Sequence, residues 1–185
     1  MSGGALGGAR AGAGRNAERV IARLREVGAT VAAAESLTGG GLTAALTAVP
    51  GASDVVIGGV IGYATRVKAQ LLDVDRGLLD RRGAVDPEVA GQMARGVRDV
   101  LAATYGVATT GAAGPDPAPG GTETDPVPAG TAYVAVCGPA GVVVRRIAVD
   151  GTRDQVRAAV VALALDCLLQ TLESSPLGPA GPGHD

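Results

Sequence analysis

Phenylalanine and tryptophan are absent from this sequence, and tyrosine occurs only three times. A core must therefore be assembled from Ala, Val, Leu and Ile. Small and β-branched side chains let helices lie close to a sheet, which favours an α/β layer structure. The lack of aromatic stacking platforms argues against single-stranded nucleic-acid binding. A formal charge of −2 removes the basic footprint that duplex binding needs. Cysteine numbers two. Cys137 and Cys167 lie in apolar stretches without metal or redox spacing, so the expectation is buried free thiols in a reducing compartment.

Two further scarcities narrow the chemistry. Sixteen residues are basic, yet Lys68 is the single lysine, and the single histidine, His184, is the second-last residue. Arginine does not surrender its proton in a protein, whereas a desolvated lysine does. Imidazole catalysis is nearly excluded. Acid–base or nucleophilic chemistry here falls to Lys68 and a hydroxyl.

One domain suits 185 residues. Residues 1–14 and 176–185 are poor in core formers and read as a flexible arm and a flexible tail around a domain at 15–175. No export signal is visible, and the apolar run from Ala158 is interrupted by Asp166 and falls short of a membrane span. The expectation is a cytoplasmic protein with no membrane partner.

The pattern alternates helix and strand. Helix is predicted over Asn16–Val27, strand over Thr30–Ala34, helix over Leu37–Val49, strand over Val55–Tyr63 and helix over Thr65–Leu72. Asp86-Pro87 opens a helix running to about Thr104. A strand over Gly106–Thr110 leads into a Gly/Pro loop from Gly111 to Gly130. Thr131–Cys137 and Gly141–Val149 form a hairpin, and Thr152–Leu172 closes the chain as a helix. These elements predict one three-layer α/β/α domain, a mixed sheet with helices on both faces.

The densest chemistry lies in Ala34-Glu35-Ser36-Leu37-Thr38-Gly39-Gly40-Gly41, where a buried strand gives way to a helix. Such strand ends form the mouth of an α/β sheet, where ligands bind. The turn offers a hydroxyl nucleophile, Ser36, with glycine N–H groups for an oxyanion or phosphate. The bland reading is that Ser36 or Thr38 caps the helix and the glycines only permit close packing. Ser36 needs a base, and Lys68, Tyr63 and a carboxylate are the candidates. Tyr63 at its strand end and Lys68 on the next helix converge on the edge that carries Ser36. Desolvation lowers a lysine pKa there, so Lys68 takes the Ser36 proton directly or through Tyr63. Glu35 is turned away by strand alternation and is assigned a structural role, paired with an arginine or backbone.

A second Gly-rich segment, Thr109–Asp116, also leaves a strand end, and its successive N–H groups can form an anion concavity. Arg153 and Arg157 share one face of the last helix, either on a phosphate or in solvent.

The stretches AESLTGG, GYATRVKAQLLDV, TGAAGPD, GTAYVAV and DGTRDQVR together resemble the CinA C-terminal domain family, the nicotinamide-nucleotide amidases, over about residues 16–172. The resemblance implies hydrolysis of the carboxamide of nicotinamide mononucleotide to nicotinate mononucleotide and ammonia, within pyridine-nucleotide salvage. By the same resemblance the nucleophile, tyrosine and lysine roles fall on Ser36, Tyr63 and Lys68. Substrate contacts are assigned to Thr38, Gly39, Gly40, Thr110, Gly111, Ala112, Gly114 and Arg153. No metal and no organic cofactor is implied, and a homo-oligomer of the stand-alone form is expected. The family pattern has Ser-Asn where this chain has Ala64-Thr65, and a glycine where it has Pro117. The competing readings are a catalytically silent nucleotide-binding module of the competence/damage-inducible type and a structural protein whose glycine turns merely pack.

Overall fold

The computed structural model describes residues 3–175. Five strands run in the order β2-β1-β3-β4-β5. They are β1 Val31–Glu35, β2 Val56–Ile61, β3 Tyr105–Gly111, β4 Thr131–Gly138 and β5 Gly141–Ala148. β1 pairs parallel with β2 and β3, whereas β3–β4 and β4–β5 are antiparallel. The sheet is mixed, as expected.

Helices α1 (Gly3–Glu26), α2 (Gly41–Thr47) and α6 (Arg153–Glu173) cover one face, and α3 (Thr65–Leu72), α4 (Arg76–Arg82) and α5 (Pro87–Val100) the other. Alternation along the strands divides the core accordingly. Val31, Ala33, Val107, Val134 and Val136 meet the first set, and Ala32, Ala34, Ala108, Ala135 and Cys137 the second. With so many alanines at the sheet, helices approach closely. At Gly106 a Cβ would run into the Ala94 carbonyl of α5, so only glycine permits this helix–strand distance. Cys137 and Cys167 are free and buried, and burial pushes the Cys167 thiol up to about 11.

Several boundaries differ from the sequence expectation, each for a local reason. The arm expected over residues 1–14 is helical from Gly3, continuous with α1. Ala13 is buried on the core face together with Ala17, so the packed part of α1 begins within the stretch read as an arm. α4 has no counterpart among the expected elements. It is short and charged, burying only Leu78 and Leu79, and its start is fixed by Asp75, whose carboxylate accepts from the Leu78 N–H at 2.7 Å. α5 begins as expected, with Asp86 as N-cap and Pro87 in the first turn. It ends at Val100 rather than Thr104, because Ala102 turns left-handed (φ 49°) and the Ala103 N–H closes onto the Arg98 carbonyl at 2.9 Å. α6 starts with a capping box. The Gln155 side chain accepts from the Thr152 N–H at 2.8 Å while the Thr152 hydroxyl accepts from the Gln155 N–H.

α6 is long and apolar enough by composition to cross a membrane. Its Val160, Ala164, Leu165, Leu168 and Leu172 are instead buried against the sheet and α1. The tail at 176–185, with His184, lies outside the described residues.

Candidate active site

Ser36 follows the last residue of β1, at the end of the central parallel strands, and its N–H is held by the Thr109 carbonyl at 3.0 Å. β2 leads through Gly62 and Tyr63 into α3. One turn into α3, Lys68 points back beneath the strand ends. It is 1% exposed and Ser36 8%. The Lys68 Nζ lies 3.1 Å from Ser36 Oγ and donates to the Gly62 carbonyl at 2.7 Å. Among the described residues no carboxylate forms an ion pair with this amine. Burial without a counter-charge lowers its pKa from 10.5 to about 8. About a tenth of the amine is then neutral at pH 7, and a neutral amine at this distance is a base for the hydroxyl.

Ser36, Lys68 and Tyr63 share a cavity of about 320 Å³ with Thr110, Ala112 and Gly114, within the size of small-molecule sites, about 300–1,000 Å³. Gly111 and Arg153 also line it. Tyr63 differs from expectation. Its side chain is 62% exposed, and its hydroxyl accepts from Arg153 Nη2 at 2.8 Å, not from Lys68 or Ser36. The second Arg153 nitrogen, Nη1, donates to the Gly114 carbonyl at 3.4 Å. Arg153 therefore ties the β2–α3 rim to the Gly-rich loop. Thr110 lines the cavity with its hydroxyl committed to the Ala84 carbonyl at 2.6 Å, which fixes the wall.

The Thr38–Gly40 turn is the main correction within the site. The sequence expectation has it offering N–H groups to a ligand, but Glu35 occupies that of Gly40 and the Ser36 carbonyl that of Gly39, which leaves only the Thr38 N–H. The fully buried Glu35 carboxylate accepts from the N–H groups of Gly40 (3.0 Å), Leu42 (3.0 Å) and Thr43 (2.7 Å), and from the Thr43 hydroxyl (2.7 Å). An intramolecular carboxylate thereby fills the anion position at the start of α2. Gly39 donates to the Ser36 carbonyl, and the buried Thr38 hydroxyl pairs with that of Thr109 at 2.7 Å. Thr38, Gly39 and Gly40 lie outside the cavity that holds Ser36. α2 starts at Gly41 rather than Leu37 for the same reason. Gly40 takes φ 95° to present its N–H to Glu35, a backbone state that glycine tolerates.

Among the described residues, the N–H groups of Leu37 and Thr38 have no protein acceptor. They directly follow Ser36, the position from which backbone donors would serve an oxyanion formed on a serine nucleophile. Two anchors escaped the sequence. The Gly62 carbonyl, which holds Lys68, has no side-chain signature. Arg157, assigned to either phosphate or solvent, instead donates from Nη2 to the Thr38 carbonyl at 2.9 Å and pins the turn that follows Ser36.

Fold and site together describe an α/β protein with a buried serine–lysine pair at the end of its parallel strands. Comparison with known proteins places it more narrowly. Residues 14–172 match the CinA C-terminal domain. CinA-like proteins of Frankia casuarinae and Myxococcus xanthus are each 46% identical, over 85% and 86% of this chain but only 35% and 37% of their own lengths. The chain thus spans about a third of those relatives. Among solved structures, the competence/damage inducible protein CihA from Agrobacterium tumefaciens is 34% identical with a TM-score of 0.79, covering 88% of this chain and 96% of that one. The competence damage-inducible protein A from Klebsiella pneumoniae subsp. pneumoniae MGH 78578 is 28% identical with a TM-score of 0.81, covering 88% and 98%. This chain belongs to the CinA C-terminal domain family.

Proposed function

We propose that this chain is an amidohydrolase that deamidates nicotinamide mononucleotide, releasing ammonia and nicotinate mononucleotide. The observation that carries the chemistry is the Lys68 Nζ, buried without a counter-charge 3.1 Å from Ser36 Oγ. The resemblance of five sequence motifs to nicotinamide-nucleotide amidases supports the substrate.

In this reading neutral Lys68 takes the Ser36 proton as Oγ bonds to the carboxamide carbon. The N–H group of Leu37, a residue that lines the cavity, receives the oxyanion. The tetrahedral intermediate collapses by breaking the C–N bond, and Lys68 passes the proton to the departing nitrogen, giving ammonia and a Ser36 ester. Water then attacks the ester carbon, with Lys68 again the base, and nicotinate leaves with Ser36 restored. Arg153, whose guanidinium lines the cavity rim, pairs with the phosphate. Gly111, Ala112 and Gly114 shape the wall facing it. Tyr63 positions Arg153 and forms one side of the entrance. These steps use no metal or organic cofactor.

Purified protein incubated with nicotinamide mononucleotide should release ammonia stoichiometrically with nicotinate mononucleotide, and Ser36→Ala should abolish this. Saturable mononucleotide binding with no ammonia above the Ser36→Ala background would replace the amidase by the binding-module reading.

A further inference from the structure

A second cavity, of about 360 Å³, lies between α1, α2 and α6 and shares no lining residue with the one that holds Ser36. Leu37 lines the first and Thr38 the second, so the turn that follows Ser36 divides them. The volume is that of a small-molecule site, about 300–1,000 Å³. Its walls are small and apolar, with Gly41, Ala45 and Ala48 from α2 and Ala158 and Val161 from α6. Among the described residues, charge enters it only with Arg157 and Asp154.

Arg157 is only partly used by its own chain. Nη2 donates to the Thr38 carbonyl at 2.9 Å. Nε is buried and, among the described residues, has no hydrogen-bond partner, which is rare for a buried polar atom. Nη1 has Asp154 at 3.9 Å, beyond hydrogen-bond distance. The Asp154 side chain is 76% exposed, so water satisfies it and the pair is weak. The other polar groups here are committed. The Thr38 hydroxyl pairs with that of Thr109, and the Gly41 N–H donates to the Thr38 carbonyl at 3.1 Å. What remains is one guanidinium among apolar walls.

We propose that this cavity binds a small monocarboxylate with an apolar body, its carboxylate on Arg157 and its body against the alanines and Val161. The donor inventory selects that class. A phosphate calls for several donors and gains nothing from apolar walls. A neutral apolar ligand leaves the guanidinium unmet, and a cation would sit beside a like charge. A planar carboxylate matches the fork of guanidinium N–H groups. The site needs neither Ser36 nor a nucleotide, and it stands independently of the amidase reading.

The test is a titration of isotope-labelled protein with sodium benzoate, followed by amide NMR with no mononucleotide present. Shifts are expected at the backbone amides of Gly41, Ala45, Ala158 and Val161 and at the Arg157 Nε–H, saturating at or below about 5 mM. Benzyl alcohol, with the same ring and no charge, should bind about tenfold more weakly or worse. Ala45→Leu and Ala158→Leu fill the cavity from different helices. Each should abolish the shifts while the rest of the spectrum reports an intact fold. Absence of saturable shifts up to about 20 mM benzoate overturns the proposal. So do shifts that fall instead at Tyr63, Ala112 and Gly114, equal affinity for benzyl alcohol, or undiminished binding in a folded leucine variant.

Discussion

The Tyr63 hydroxyl accepts a hydrogen bond from Arg153 Nη2 at 2.8 Å, which joins the end of β2 to the first turn of α6 across the mouth of the cavity. In the proposed reaction that contact gives the tyrosine a task at the substrate end of the site rather than in proton transfer. Tyr63→Phe frees Arg153 while leaving the Lys68–Ser36 pair intact. It should raise KM for the mononucleotide and lower kcat by less than about tenfold, whereas loss of a general base costs about 10²–10⁴-fold. Steady-state kinetics decide the matter. A fall in kcat matching that of Lys68→Met would return Tyr63 to the proton path.

Lys68→Arg keeps a positive charge but removes a titratable amine. It should reduce kcat/KM by about 10³-fold or more. In the unaltered protein kcat/KM should climb with pH through about 8, the pKa to which burial lowers this amine, and then level off. A pH–rate profile between 6 and 10 provides the check. A flat profile across that range would contradict the base assignment.

Much of this is legible in the sequence because the relevant signals are local. The Asp86-Pro87 cap, the strand alternation and the isolated lysine each state their purpose within a few residues. Thr65–Leu72 has the same bounds in sequence and structure because an apolar periodicity and a preceding strand both delimit it. The destination of the α2 N–H groups is not legible. A Gly-rich turn after a strand reads the same whether its donors face a ligand or a carboxylate from the neighbouring position. Only the three-dimensional path of Glu35, buried beneath the turn, decides it. The Tyr63–Arg153 contact spans ninety residues, and no spacing rule reports it. α4 escapes notice because seven residues with two buried leucines carry too little periodicity.

Lys68 also links stability to pH. Its pKa is about 8 when folded and 10.5 as the ordinary value, so between these the unfolded chain binds more protons and stability rises with pH. Below about 8 both states are protonated and the penalty is constant, about 3 kcal/mol for this lowering. The buried thiols act oppositely. Cys137 and Cys167 are raised above 9.0 when folded, so above 9.0 they lose stability as the unfolded thiols ionise. The lysine contribution is therefore clearest between pH 8 and 9, and as a difference from Lys68→Met at each pH. Denaturant unfolding should show the wild type gaining on Lys68→Met as pH rises from 7 to 9. A constant difference would mean that the amine is solvated in the folded protein.

Glu35 holds the nucleophile turn by accepting three backbone N–H bonds and one from the Thr43 hydroxyl. A glutamine of the same shape retains one acceptor oxygen and turns an NH₂ toward donors. Glu35→Gln should then cost about 3 kcal/mol, from one or two charge-assisted bonds worth about 1.5–3 kcal/mol each. Because the turn carries Ser36 and the N–H group of Leu37, its loosening should lower kcat with little change in KM. Glu35→Asp, which keeps the charge but is one methylene shorter, should recover part of the stability without restoring full kcat. Thermal unfolding and steady-state kinetics on the two variants separate these effects. If Glu35→Gln raised KM for the mononucleotide at unchanged kcat, the carboxylate would be acting on substrate binding rather than holding the start of α2 and the nucleophile turn.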